Sequence, residues 1–304
     1  NIGYNLEIVR NINALPTSLL STDTSRTAAM TANNTFLGGT IANPFAGLLP
    51  GTSFNNATIA RSQLLRPFPE FGDILTTNND GKSWYHSGQF SLQKRFSHGY
   101  TVSASYTCSK WLQATEYLNA ADAQPTKMIS DLDVTNRLAV SGMFAFPFGK
   151  GRRFLSGATG ITEALVGGWQ VQGVYTYQSG FPISFGTDAF YIGTDPVNGS
   201  DIALPSDQRT TSRWFNTDVF TSILNGTSTN ATPVNHLRTL PTRFTDVRCD
   251  SINNLDLSLL KDIKLQGGIK IQLRAEFINV LNEPYLPNPG FSPTSATFGQ
   301  VTAS

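Results

Sequence analysis

Apolar and polar residues alternate with period two in three separate stretches. Each reads as a hairpin, because a strand sends successive side chains to opposite faces. In the first, Phe90, Leu92 and Phe96 share one face, and Ser87, Gln89, Ser91, Gln93 and Arg95 share the other. After a turn at Ser97-His98-Gly99, the residues Tyr100, Val102, Ala104, Tyr106 and Cys108 alternate with Thr101, Ser103, Ser105, Thr107 and Ser109. The second hairpin runs from Leu138 to Phe148, through a Gly149-Lys150-Gly151 turn, to the stretch from Trp169 to Tyr177. Leu138, Val140, Phe144 and Phe146 form one face of its first strand. On the returning strand Trp169, Val171, Tyr175 and Tyr177 alternate with Gln170, Gln172, Thr176 and Gln178. The third joins Leu255, Leu257 and Leu259 to Ile269, Ile271, Leu273, Ala275 and Phe277 across Gln266-Gly267-Gly268. Its other face carries Asp256, Ser258, Lys270, Gln272, Arg274 and Glu276. Six firm strands result, with partial strands expected at 1–9 and from Phe298 onward.

Between the hairpins lie long segments without periodicity, at 18–79, 111–136, 181–253 and 283–296, rich in Asn, Thr, Gly and Pro. Loops in compact soluble domains are usually only about 4 to 6 residues long. Alternation of short turns with long loops, on strands of about ten residues, is the pattern of an antiparallel transmembrane β-barrel with periplasmic turns and extracellular loops. Trp84, Tyr85, Tyr100, Phe148, Trp169 and Tyr177 are then expected in two aromatic girdles. A soluble β-sandwich also alternates apolar and polar residues. Strand length, one-sided loop lengths and polar faces of Ser, Thr and Gln, where a soluble surface carries more Lys and Glu, argue against it.

Composition sharpens this all-β reading. Only 14% of the 304 residues are charged and 11% are aromatic, so the polar surface is largely uncharged. A net charge of +1 gives no reason to expect a nucleic-acid partner. The most apolar run, from Leu138 to Phe148, is too short for a membrane helix and contains Pro147, so any membrane crossing must use strands. Asn1 is preceded by no initiator Met, and no leader pattern follows it; a secretory signal is expected upstream or already removed. Cys108 and Cys249 are far apart and lack metal-ligand neighbours, which leaves zinc or iron-sulfur chemistry without support. A disulfide between them is the lesser reading, since alternation turns Cys108 toward the apolar face.

More specific blocks run through the chain. They begin with Arg66-Pro67-Phe68-Pro69-Glu70-Phe71-Gly72, Ser83-Trp84-Tyr85-His86-Ser87 and Lys94-Arg95-Phe96-Ser97-His98-Gly99. Next come Ser105-Tyr106-Thr107-Cys108-Ser109-Lys110, Ser130-Asp131-Leu132-Asp133, the run from Phe146 to Arg153, and Gly167-Gly168-Trp169-Gln170-Val171. Gln178-Ser179-Gly180, Trp214-Phe215-Asn216, Leu255-Asp256-Leu257-Ser258 and the run from Arg274 to Asn282 complete the series. In this order the blocks resemble the barrel end of Oar-like TonB-dependent receptors, common in Acidobacteria and related Gram-negative groups. The resemblance implies an outer-membrane location and a barrel of about 22 strands around a plugged lumen. Residues 1–304 would form one partial barrel domain, with the plug, TonB box, regulatory β-sandwich module, upstream strands and closing strand lying outside it. Its implied partners are outer-membrane lipid, the TonB complex acting through the plug, and an unidentified solute imported with energy from the inner membrane. No cofactor is implied.

Candidate sites are few. Ser91-Leu92-Gln93-Lys94 matches S-x-x-K, but residues three apart on a strand point to opposite faces, so they cannot act as a nucleophile and its base. Gln89, Gln93, Arg95, Gln170, Gln172, Lys270, Gln272, Arg274 and Glu276 are expected to face the lumen. There they contact a plug or a passing solute, or simply form a solvated, salt-paired wall, which is the commoner case. Asp131 and Asp133 suggest calcium, yet two carboxylates fall short of its 6 to 8 oxygen ligands. Asn33, Asn56, Asn198, Asn225 and Asn230 begin N-x-Ser/Thr triplets that reflect loop composition in a bacterial chain. His86, His98 and His236 have no partners at triad or metal spacing, and no enzyme is expected. TonB-dependent transport is thus the leading function. The alternatives are a surface adhesin or structural protein binding carbohydrate or cells through the long loops, and a passive porin.

Overall fold

The computed structural model describes the chain except for residues 1, 23–27, 186–190, 196–197, 221, 225–226, 230–233, 239, 266–267, 293–294 and 303–304. Of the eight strands in its main sheet, seven form a continuous path: β1 (Ile2–Asn11), β2 (Leu75–Ser97), β3 (Tyr100–Ala114), β4 (Asn136–Ala145), β5 (Trp169–Gln178), β6 (Ile252–Lys264) and β7 (Lys270–Phe277); the two-residue strand Met128–Ile129 pairs with β3 off that path. Each pairs antiparallel with its neighbours in sequence, so the order in space is the order in the chain. Among the described residues the path does not close, and β1 and β7 form its two edges. No described helix is long and apolar enough to cross a membrane.

The register sorts side chains into two faces, because directly paired residues point the same way. One row of the apolar face runs Tyr100, Phe144, Val171, Leu259 and Ala275 across β3 to β7; the next runs Val102, Gly142, Gly173, Leu257 and Phe277. This face is bare. Leu92 is 64% exposed and Ile271 43%, while Val102, Val140, Val171 and Leu257 are half-buried. A two-layer sandwich would bury all six in one core, so that reading is excluded. Each ten-residue strand, β4 or β5, rises about 33 Å. Tilted by about 40°, it spans the roughly 25 Å apolar band of an outer-membrane barrel.

The described turns are unequal. His98 (φ 54°) and Gly99 (φ 87°) are the central pair of the β2–β3 turn, both left-handed as a type I′ hairpin requires. The β4–β5 connection is longer than the tight turn expected at 149–151. It spans 146–168 and includes a helix, Gly160–Val166. The Gln266-Gly267-Gly268 turn lies largely outside the described residues, although Leu265 N–H donates to Ile269 O at 2.8 Å across it.

The fully buried core lies in the long loops at the opposite end of the strands. Ile183, Phe185, Phe215, Phe220, Phe244 and Phe298 belong to one cluster, with Phe185 ring centroids 4.9 Å from Phe220 and 5.1 Å from Phe215. A two-stranded ribbon, Pro182–Ser184 with Arg243–Arg248, supports it. Phe298 onward is therefore not a wall strand. Gly299 O accepts from Trp214 N–H at 2.8 Å, and Val301 N–H donates to Thr211 O at 2.7 Å, which fastens this segment into the loop core. Tyr85 also departs from expectation. Trp84 shares the apolar-face parity of Phe90, but Tyr85 lies on the polar face, edge-on to Trp111 at 6.1 Å.

Candidate functional site

The polar face of β5, β6 and β7 carries a charged network centred on Asp262, a residue that sequence periodicity did not single out. Its Oδ2 is 2.8 Å from Lys270 Nζ and accepts from Gln170 Nε2 at 3.2 Å, while Oδ1 accepts from Gln272 Nε2 at 2.8 Å. Three expected lumen-facing residues are thus gathered on one carboxylate. Beside it Arg274 pairs with Glu276 at 2.7 Å and reaches Ser258 Oγ at 3.5 Å. Gln172 lies in the same row as Glu276 and Ser258 and points its amide at Met143 Sδ, 3.5 Å away. Gln89, Gln93 and Arg95 sit on β2, exposed on the same face but away from this network. Periodicity hid Asp262 because alternation breaks immediately before it. Leu260 is buried on the polar face, between Gln170 and Arg274 in register, and Lys261 takes the apolar one.

Lys261 is accommodated by its ends. Its stem lies beside Trp169, with Nζ 5.2 Å from the ring centroid, and the ammonium donates to the Gly167 and Leu165 carbonyls. The residue is buried, so these carbonyls rather than water satisfy its charge. The S-x-x-K pair is separated as its spacing requires: Lys94 Nζ donates to Ser97 Oγ, and Ser91 faces the other way.

The Ser130-Asp131-Leu132-Asp133 block is a structural hub of the loop layer. Asp133 is fully buried. Its Oδ1 accepts from Trp111 N–H at 2.6 Å, and its Oδ2 from Thr135 Oγ1 at 3.1 Å and Arg248 Nη2 at 2.7 Å. Arg248 Nη1 also donates to Asp133 O and Gly180 O, at 3.2 and 3.1 Å. These bonds occupy Asp133, and Asp131 is exposed, so the pair does not converge on a cation. Arg243, buried nearby, pairs with Glu116 and donates to Ile129 O at 3.0 Å. Asn119 accepts from Arg238 N–H at 2.8 Å and donates to Arg238 O at 2.9 Å. Four bonded pairs thus tie 111–136 to 180–250. Among the described residues no three His, Cys, Asp or Glu side chains are grouped to hold a metal.

Two other loop groups are tuned by burial. Desolvation and the Asp201 carboxylate push the Tyr191 phenol above its ordinary range. Burial also raises Asp201, but bonds from Tyr191, Thr194 and Asp195 outweigh it and hold that carboxyl low. Cys249 is buried in the aromatic core, which pushes its thiol up to about 11, and Cys108 is exposed on the sheet; both are free. Asn225 and Asn230 fall outside the described residues. Above Tyr85 and Trp111 a cavity of about 600 Å³ opens, bounded by Ser83, Ser109, Leu132 and Val134.

No curated protein and no solved structure matches the chain. A family model described as an outer membrane beta barrel domain matches residues 1–304. A bare apolar face, a charged opposite face and long folded loops at one strand end are the arrangement such a domain requires. The chain belongs to the outer membrane β-barrel domain family.

Proposed function

We propose that this outer-membrane chain is part of the wall and extracellular loops of an Oar-like, TonB-dependent transporter, and that it has no catalytic role of its own. The supporting observation is the Asp262 network with the Arg274–Glu276 pair, which places fixed charge on the face opposite the apolar one. A wide, plugged lumen keeps such groups hydrated and gives a plug or solute polar partners. The ordered sequence blocks, from Arg66-Pro67 to Leu281-Asn282, favour the Oar-like kind. In this reading the loop layer faces outward and the His98-Gly99 turn faces the periplasm, as long loops and short turns do in bacterial barrels. TonB acts through a plug supplied by the rest of the protein, and the imported solute is not specified by any loop motif.

Planar-bilayer conductance of the intact protein tests the reading. A plugged transporter stays closed until its plug is removed. Steady open-channel current without plug removal would make it a porin. A closed barrel whose deletion abolishes attachment, while uptake of every tested solute is unchanged, would make it an adhesin.

A further inference from the structure

The apolar face is notched near the turn end. Gly142 of β4 and Gly173 of β5 are direct cross-strand partners, so two adjacent positions on that face lack side chains. The resulting groove has a volume of about 470 Å³ and is walled by Val102, Phe144, Tyr175 and Leu257. It extends from the row of Tyr100 and Phe144 to the row of Val140, Tyr175 and Leu255. That is four residues along the strands, or about 13 Å, comparable to an acyl chain reaching from headgroup level toward mid-membrane.

The turn end of the groove is cationic. Lys94 pairs in register with Val102 and lies on the apolar face, with Nζ 5.4 Å from the centroid of the Tyr100 ring that forms the groove's rim. The chain holds 22 Lys and Arg against 21 Asp and Glu. Eight of those bases but only two of the acids fall in the turn segments 93–100, 149–168 and 261–270. The rest of the chain is therefore net acidic. Lys94, Arg95, Lys150, Arg152 and Arg153 have no carboxylate at ion-pair distance among the described residues, and all but Lys94 are exposed. Lys94, bonded to Ser97 Oγ but with no carboxylate partner, makes the rim of this apolar, membrane-facing groove complementary to one kind of occupant, an anionic headgroup on a hydrocarbon chain.

We propose that this groove is a binding site for one anionic phospholipid of the inner leaflet. Its acyl chain lies over Gly142 and Gly173, and its phosphate is met by Lys94 at the Tyr100 rim. The leaflet assignment rests on the orientation proposed above; the site itself does not depend on transport. Other turn cations add attraction that is not specific to the groove.

Native mass spectrometry of the intact barrel in detergent tests this, with added phosphatidylglycerol or phosphatidylcholine of matched chains. One phosphatidylglycerol should be retained in preference to phosphatidylcholine. Lys94→Gln should cut that preference by about fivefold, the contribution of one lysine near an anionic surface. Lys127→Gln, beside Trp84 at the loop end, should leave it unchanged. Gly173→Leu fills the floor and should reduce retention of both lipids. Its Cβ would meet Leu257 Cδ2 at 2.9 Å, a side-chain end that can turn away. Val140→Phe, which narrows the groove from the next row, should act alike and guards against misfolding of the glycine variant. Equal retention of the two lipids, or a preference unaltered by Lys94→Gln, would overturn the site. Neither result bears on conductance, so the site and the transport reading fail separately.

Discussion

Asp133 and Arg248 show how single residues organise the loop layer. The carboxylate has no solvent exposure and the guanidinium side chain only 13%, so each depends on the other for its charge. Removing one partner of a buried pair costs about 3 to 5 kcal/mol, because the remaining charge is left uncompensated. Asp133→Asn keeps the shape but strands Arg248. It should therefore accelerate hydrogen exchange at the backbone of 180–185 and 243–249 while leaving the exchange of β4 unchanged. Arg213→Gln is the control, since its partner Asp218 is 80% exposed and such pairs contribute about 0 to 1 kcal/mol. Indistinguishable exchange in the two variants would show that the buried pair does not hold the layer. Neither Asp133 nor Asp262 was legible as a hub from sequence. A carboxylate in a polar loop, or one just past a break in alternation, looks like a solvated group until the chain brings its partners from 115 residues away, as with Arg248, or from the adjacent strand, as with Lys270.

At the scale of strands, the register identifies which positions lie deepest in the membrane. Tyr100, Phe144 and Val171 form a row near the turn end, and Tyr106, Leu138 and Tyr177 form one nearer the loops. Val140 lies midway, paired with Ala104 and Tyr175. An Arg at mid-membrane on the lipid face costs about 2 to 4 kcal/mol, and much less near an interface. Val140→Arg should therefore lower the fraction of folded barrel in a heat-modifiability assay more than Phe144→Arg, whose guanidinium can reach the headgroups. Gln172→Arg, on the hydrated polar face, should change it least; a different ranking would mean the faces or depths are misassigned. Strand identity and facing were readable wherever one side of the strand meets lipid, since period two then appears as a clean contrast. Where β2 passes beyond that zone the contrast fades. Thr76, Asn78 and Asp80 alternate with Thr77 and Asn79, polar on both sides, and so residues 75–79, the start of a 23-residue strand, read as loop. Within 181–253, buried aromatics such as Phe185, Phe215 and Phe220 follow neither strand nor helix spacing, because they converge from turns and short 3-10 segments. Their core is invisible to any periodicity.

For the whole molecule, two regions obey opposite rules. The loop layer has an aromatic core of the kind found in water-soluble domains, while the sheet exposes Phe90, Leu92 and Leu273. Only a hydrocarbon surrounding makes the second stable, and hydrocarbon imposes a further condition. Every backbone N–H and C=O at membrane depth must be bonded, since each unsatisfied group costs several kcal/mol. β1 and β7 are each paired on one side only among the described residues, so the sheet meets that condition only when other strands complete its edges. The seven strands are about a third of the 22 in a large transporter barrel. Expressed alone and refolded into detergent or vesicles, the 304-residue chain should therefore not give a heat-modifiable monomer. Its edges should pair with other copies instead, as unprotected strands do, producing oligomers or aggregates by size-exclusion chromatography. The loop layer should resist this failure, because its core packs within itself: a protease-resistant fragment containing Phe185, Phe215 and Phe244 is expected even from the aggregated material. A monodisperse, heat-modifiable monomer would mean that these strands close on themselves as a small barrel, and the reading of a wall within a larger transporter would fall with that result.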